Sequence, residues 1–142
     1  MEQFLETALA AARSAAQVAL GYYRGEFEVE VKSDQTPVTI ADRKAEEIIR
    51  GTLLETFPDH GFFCEESGKR QEDAEYLWLV DPIDGTKSFV GGYGMWSTQI
   101  ALMHRGELVL GVSWAPSTRE LAYAARGLGA FLDGEAISVS KK

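Results

Sequence analysis

The sequence predicts an α+β fold in which two helices pack on a mainly antiparallel β-sheet. Three observations carry this expectation. Apolar residues recur at helical spacing near the N-terminus and again around residue 45. After Phe57-Pro58 the period changes to short apolar runs, and turn signals separate neighbouring runs.

The first helix is expected over about residues 2–24, where Leu5, Ala8, Leu9, Ala12, Ala16, Ala19, Leu20 and Tyr23 fall on one stripe. Alanine favours the helix, and Gly25 supplies a stop. Phe27 to Lys32 then alternates apolar and charged residues, as a half-buried strand does, and Ser33 to Pro37 is a polar turn. A second helix is expected after Thr39, running to about Thr56. Thr39 followed by Asp42 fits an acidic capping box, and Ala41, Ala45, Ile48, Ile49 and Leu53 form its apolar stripe. Phe57-Pro58 ends it. Strands are expected at Gly61–Cys64, Tyr76–Val80, Ser97–Met103, Leu108–Trp114 and Leu121–Ala125. His104 to Glu107 reads as a tight hairpin, Ser117 to Glu120 joins the next pair, and Glu65 to Glu75 reads as a mobile surface loop.

The 142 residues, 45% hydrophobic and 25% charged, suit one globular domain without repeats, low-complexity tracts or linkers. A net charge of −8 from 22 acidic and 14 basic residues argues against nucleic-acid binding, which needs a basic footprint. It leaves an anionic substrate open, because a bound cation reverses the local field. The lone cysteine, Cys64, makes no internal disulfide. No apolar run approaches the ~18 residues of a membrane span. Met1-Glu2 lacks the basic start of a signal peptide, so a cytoplasmic, membrane-free protein is expected.

Chemistry concentrates in Leu77-Trp78-Leu79-Val80-Asp81-Pro82-Ile83-Asp84-Gly85-Thr86. A hydrophobic strand delivers Asp81 to its end, Pro82 holds Asp81 extended, and Asp84 comes round beside it with the Ile83 carbonyl between. Such closely spaced oxygen ligands suit a hard cation such as Mg²⁺. Gly85 to Phe89 looks like the first turn of a short helix, whose free N–H groups attract an anion. Metal ligands beside a phosphate cradle are what a metal-assisted phosphate hydrolase needs. Taken singly, Asp-x-x-Asp-Gly also describes an ordinary Asx turn, and Glu65-Glu66 a solvated pair. Their combination weighs more, since carboxylates brought together repel unless a cation lies between them.

Asp81-Pro82-Ile83-Asp84-Gly85-Thr86, Phe63-Cys64-Glu65-Glu66-Ser67 and Thr36-Pro37-Val38-Thr39-Ile40-Ala41-Asp42 resemble, in order, three motifs of the inositol monophosphatase superfamily of Mg²⁺-dependent, lithium-sensitive phosphatases. The similarity continues through Ser97 to Leu102 and Ala125 to Phe131. The resemblance implies that Glu65, Asp81 and the Ile83 carbonyl hold a first Mg²⁺, and that Asp81 and Asp84 contribute to a second. It implies a hydrogen-bonded Asp42–Thr86 pair that orients the attacking water, with Glu65 assisting. Gly85 and Thr86 N–H groups would bind the phosphate, and Lys32 would approach the site from a loop. The implied chemistry is in-line attack of water on the phosphomonoester of a small metabolite. Lys87 resembles the lysine of the histidinol-phosphate and nucleotide-bisphosphate branches.

The remaining chemistry-bearing residues read as structural. Cys64 replaces the family's usual glycine and reads as a small buried residue. His60 and His104 read as surface or loop histidines, and Trp78, Trp96 and Trp114 as packing.

Members of this superfamily are usually longer, and a Trp-Asp-x-Ala-Ala-Gly-like motif in their second half completes the second metal site. No such motif occurs here. The resemblance therefore implies that residues 1–142 are an N-terminal metal-binding domain without its C-terminal α/β half. The expected function is a Mg²⁺-dependent phosphomonoester hydrolase of inositol-phosphate or histidinol-phosphate type, binding one Mg²⁺ weakly and turning over little. The competing expectation is a non-catalytic metal- or anion-binding module. A sheet left uncovered would favour a homodimer or other association.

Overall fold

The computed structural model describes residues 1–23, 29–31 and 37–141, the side chains of 29–31, 37 and 38 excepted. Helix α1 (Glu2–Leu20) buries Leu5, Ala8, Ala11, Ala12, Ala15, Ala16 and Ala19. This stripe is almost entirely alanine, which lets the helix backbone lie close to its neighbours. The helix ends at Gly21, earlier than the spacing predicts, because glycine is a poor helix former and Tyr22 and Tyr23 already turn. The predicted Gly25 stop lies outside the described residues, as do most of the turn expected at 33–37 and the outer ends of the strand expected at 27–32. Within that stretch, β1 (Val29–Val31) pairs antiparallel with β2 (Pro37–Thr39).

Helix α2 (Ile40–Thr56) starts and stops where predicted, and the Thr39–Asp42 capping box forms in both directions. Its buried face holds Ala41, Ala45, Ile49 and Leu53, and also two acids, Asp42 and Glu46. The main sheet follows: β3 (Gly61–Cys64), β4 (Gly68–Arg70), β5 (Tyr76–Asp84), β6 (Ser97–His104), β7 (Glu107–Ala115), β8 (Glu120–Ala125), β9 (Gly129–Leu132) and β10 (Glu135–Ile137). Its order is β10-β9-β8-β7-β6-β5-β3-β4, and only the β3–β5 pair is parallel. A third helix, the five-residue α3 (Thr86–Val90), follows β5 and makes three helices among the described residues.

The predicted loop at 65–75 is shorter than expected, because β4 lies inside it as an edge strand. Gly68, Lys69 and Arg70 carry no apolar pattern for a sequence reading to find. The 104–107 hairpin forms as read. Arg105 and Gly106 both take positive φ (50° and 84°), the geometry of a two-residue type I′ turn.

One sheet face packs on α1 and α2 through Phe62, Trp78, Ile100, Leu102, Leu110 and Val112. Strand alternation turns Phe63, Leu79, Ala101, Ala124 and Ala130 to the other face, where they line an open apolar groove of about 570 Å³. A second small core joins Ala19, Ala41, Ile83, Phe89 and Trp96 beneath α3.

His60 lies in the bend before β3, a loop position as expected, but it is half-buried between the rings of Phe57 and Tyr76, at centroid distances of 4.7 and 4.8 Å, and its Nδ1 accepts from Trp78 Nε1 at 3.0 Å. His104 stacks on the other side of Tyr76 and bonds Glu75. Among the described residues no helix is long and apolar enough to cross a membrane.

Candidate functional site

The site is built where β3 and β5 end. Because these strands run parallel, with Cys64 beside Val80, the residues that follow each of them emerge together. That places Glu65 and Glu66 beside Asp81. The hairpin from Cys64 to Gly68 is closed by three turn residues, Glu65, Glu66 and Ser67, with Gly68 at a φ of 83°.

Strand β5 then bulges. Asp81 pairs with Gln99 and Asp84 with Ser97, so three steps along β5 oppose two along β6. In an unbroken strand, residues three apart face opposite sides; the extra residue brings Asp81 and Asp84 to one cavity. Pro82 has no N–H to leave unpaired in the bulge, and buried Thr98 donates its hydroxyl to the Pro82 carbonyl at 2.9 Å. Pro82 and Ile83 are buried while Asp81 and Asp84 are exposed, so the bulge presents its acids outward. Asp84 is oriented by Gln99, whose Nε2 donates to Asp84 Oδ2 at 3.0 Å and to Ser97 Oγ at 3.1 Å.

Gly85 turns the chain from β5 into α3 at a φ of 92°. A Cβ here would also lie 2.5 Å from the Met95 carbonyl oxygen, so both conformation and space demand glycine. Thr86 donates its hydroxyl to the Ile83 carbonyl at 3.1 Å.

Asp42 reaches the same place from the first turn of α2. Its Oδ2 accepts from both the backbone N–H and the hydroxyl of Thr39. Burial pushes its carboxyl up from 3.8 to about 6; the Thr39 bonds act the other way, and Glu66 and Asp81 add repulsion. Asp42, Glu65, Glu66, Asp81, Ile83, Asp84, Gly85, Thr86 and Lys87 all line one cavity of about 290 Å³.

The structure therefore brings together every predicted site residue except Lys32, which lies outside the described residues. The predicted Asp42–Thr86 hydrogen bond is not formed: the Asp42 carboxylate is bonded to Thr39, and the Thr86 hydroxyl to Ile83. Among the described residues, no three His, Cys, Asp or Glu side chains stand close enough to hold a metal ion as placed. The donor set nonetheless fits a hard cation. It is all oxygen, its acids are near enough to repel Asp42, and Glu65, Asp81 and Asp84 are exposed and able to turn inward. The Ile83 carbonyl keeps a second lone pair beside the Thr86 bond.

Sequence reasoning missed the residues that hold the acids. Gln99 and Thr98 stand in a stretch that resembles the family, but their partners are fixed by the β5–β6 register. Glu66 and Lys87 were assigned no role at the site, yet both line the cavity.

Over residues 1–142 the sequence matches the inositol monophosphatase family. The chain belongs to that family. Histidinol-phosphatase of Chlorobaculum parvum is 43% identical over 137 residues, covering 96% of this chain and 53% of that protein. Among solved structures, the extragenic suppressor protein suhB of Bartonella henselae superposes with a TM-score of 0.91 at 36% identity, over 96% of this chain and 54% of that one. The Thermotoga maritima IMPase gives 0.91 at 34% identity, over 99% and 55%. The chain thus spans about half the length of these relatives.

Proposed function

We propose that this chain carries the metal and phosphate site of a Mg²⁺-dependent phosphomonoester hydrolase, acting on a small metabolite of histidinol-phosphate or inositol-phosphate type. One observation carries the reading: five acids, the Ile83 peptide, Gly85, Thr86 and Lys87 meet at one cavity where β3, β5, α2 and α3 converge. Glu65, Asp81, Asp84 and the Ile83 carbonyl would hold Mg²⁺, which supplies a Lewis acid for the phosphoryl oxygens and acidifies water. Gly85 and Thr86 turn the backbone at the cavity wall, where their N–H groups would receive phosphate oxygens. Lys87 adds a cation on the same wall. Asp42 and Thr86 both border the space from which water would attack, and Thr39 holds Asp42 in place. The similarity to a histidinol-phosphatase supports that substrate class, and Lys87 agrees with it.

A second reading, a metal- or anion-binding module with no turnover, is favoured by the acids standing apart among the described residues. Phosphate release from histidinol phosphate and inositol monophosphate, with and without Mg²⁺, separates the two. The hydrolase reading expects slow Mg²⁺-dependent release that Asp84→Asn abolishes. Release that survives Asp84→Asn, or needs no divalent cation, overturns it. No release from a chain that binds Mg²⁺ favours the second reading.

A further inference from the structure

Thr98 and Gln99 are neighbours on β6 and point to opposite faces of the sheet, Thr98 fully buried and Gln99 exposed. Gln99 stands opposite Asp81 and Ser97 opposite Asp84, so Thr98, between them, is the β6 residue that faces the bulged Pro82 and Ile83. Its hydroxyl donates to the Pro82 carbonyl at 2.9 Å from the buried side. Pro82 is itself fully buried, so no water stands ready to replace that donor. The next carbonyl, that of Ile83, accepts the Thr86 hydroxyl at 3.1 Å. Two successive peptide planes of the bulge are therefore each held by a side-chain hydroxyl. From the exposed side, Gln99 Nε2 commits both of its hydrogens, to Asp84 Oδ2 at 3.0 Å and to Ser97 Oγ at 3.1 Å.

We infer that Thr98 and Gln99 are positioning residues that grip the β5 bulge from its two sides and set the cation donors it carries. Neither lines the acidic cavity, so each acts through a neighbour: Thr98 through the Pro82 carbonyl, and Gln99 through the Asp84 carboxylate. Asp84 is exposed, and without the Gln99 amide its carboxylate is free to rotate in solvent. The Ile83 carbonyl has no rotamer of its own, so its direction follows the backbone that Thr98 and Thr86 hold. Valine at position 98 would keep the shape of threonine and lose the donor, which leaves a buried carbonyl unpaired. The inference rests on the cavity being a cation site, and its test separates the two ideas.

The experiment compares wild type, Thr98→Val, Thr98→Ser and Gln99→Leu by Mn²⁺ binding followed with electron paramagnetic resonance, and by the Pro82 carbonyl carbon-13 shift in metal-free protein. Thr98→Val is expected to move the Pro82 resonance upfield, as a carbonyl that loses its donor does, and to weaken Mn²⁺ binding by about tenfold. Thr98→Ser keeps the hydroxyl and is expected to restore both. Gln99→Leu is expected to weaken Mn²⁺ binding by about tenfold at an unchanged melting temperature, because Gln99 is exposed. Should Thr98→Val fail to fold, Gln99→Leu still tests the grip from the exposed side. An unmoved Pro82 resonance in Thr98→Val, or a Thr98→Ser protein as weak as Thr98→Val, overturns the role of the hydroxyl. Unaltered Mn²⁺ affinity in Thr98→Val and Gln99→Leu overturns the positioning role. A wild type that binds no Mn²⁺ contradicts the cation-site reading instead, and the Pro82 shift, which needs no cation, then decides whether Thr98 holds the bulge.

Discussion

Thr39 and Asp42 bond each other reciprocally: the Asp42 N–H donates to the Thr39 hydroxyl, while the Thr39 N–H and hydroxyl donate to Asp42 Oδ2. The same carboxylate lines the acidic cavity. Helix capping and site geometry are therefore one structure, and changes to either residue act on both.

Thr39→Ala removes the side-chain cap of α2 and is expected to cost about 1–2 kcal/mol. Thr39→Ser, which keeps the hydroxyl, should lose a small part of that. Urea unfolding of the three proteins, read at an unchanged m-value, measures the difference.

Asp42 binds its proton more tightly folded than unfolded, because its folded pKa of about 6 exceeds the ordinary 3.8. Its favourable contribution is full below pH 3.8 and is lost as pH rises through about 6. Asp42→Asn escapes this penalty while keeping an acceptor for Thr39. The variant is expected to be more stable than wild type at pH 8 by about 2 kcal/mol, with the gap closing near pH 4. Thermal unfolding at both pH values checks this. The same variant should lose phosphate release.

Gly85→Ala combines a positive φ with a collision against the Met95 carbonyl. A loss of about 2–3 kcal/mol is expected, together with weakened phosphate binding. Calorimetry of the variant, followed by phosphate titration, separates the two effects.

His60 behaves in the opposite sense to Asp42. Burial lowers its pKa below 6.5, against the pull of Asp59 and Glu75, and its Nδ1 must stay unprotonated to accept from Trp78. The contribution is present above pH 6.5 and is lost as pH falls through the lowered folded value. Trp fluorescence and melting temperature should therefore change in acid in wild type, and this step should vanish in His60→Gln. An identical acid response in that variant would assign it elsewhere.

The parts of the fold legible in the sequence were those specified locally. Helix α2 follows from the spacing of Ala41, Ala45, Ile49 and Leu53, and from a cap written within four residues, and the type I′ hairpin from Arg105-Gly106. Pro82 reads as a turn after a strand that ends at Val80, whereas the structure makes it part of a bulge inside β5, which runs on to Asp84. Strands β4, β9 and β10 were not legible as separate elements, because β4 and β10 are short exposed edges without an apolar period. The early end of α1 at Gly21 was hidden by Tyr23, which continues the stripe but packs on Phe89 and Trp96 as part of a turn. In the site, the residue types were readable and their partners were not. Gln99 meets Asp84, and Thr86 turns to Ile83 rather than Asp42, through contacts that pairing and bulge geometry decide.

The most direct measurement is a Mg²⁺ titration by calorimetry of wild type, Asp81→Asn and Asp84→Asn. A site of this donor set should bind Mg²⁺ in wild type, and loss of either acid should weaken binding by about tenfold or more. No heat of binding in wild type, or equal affinity in all three proteins, would contradict a cation site at the end of β5.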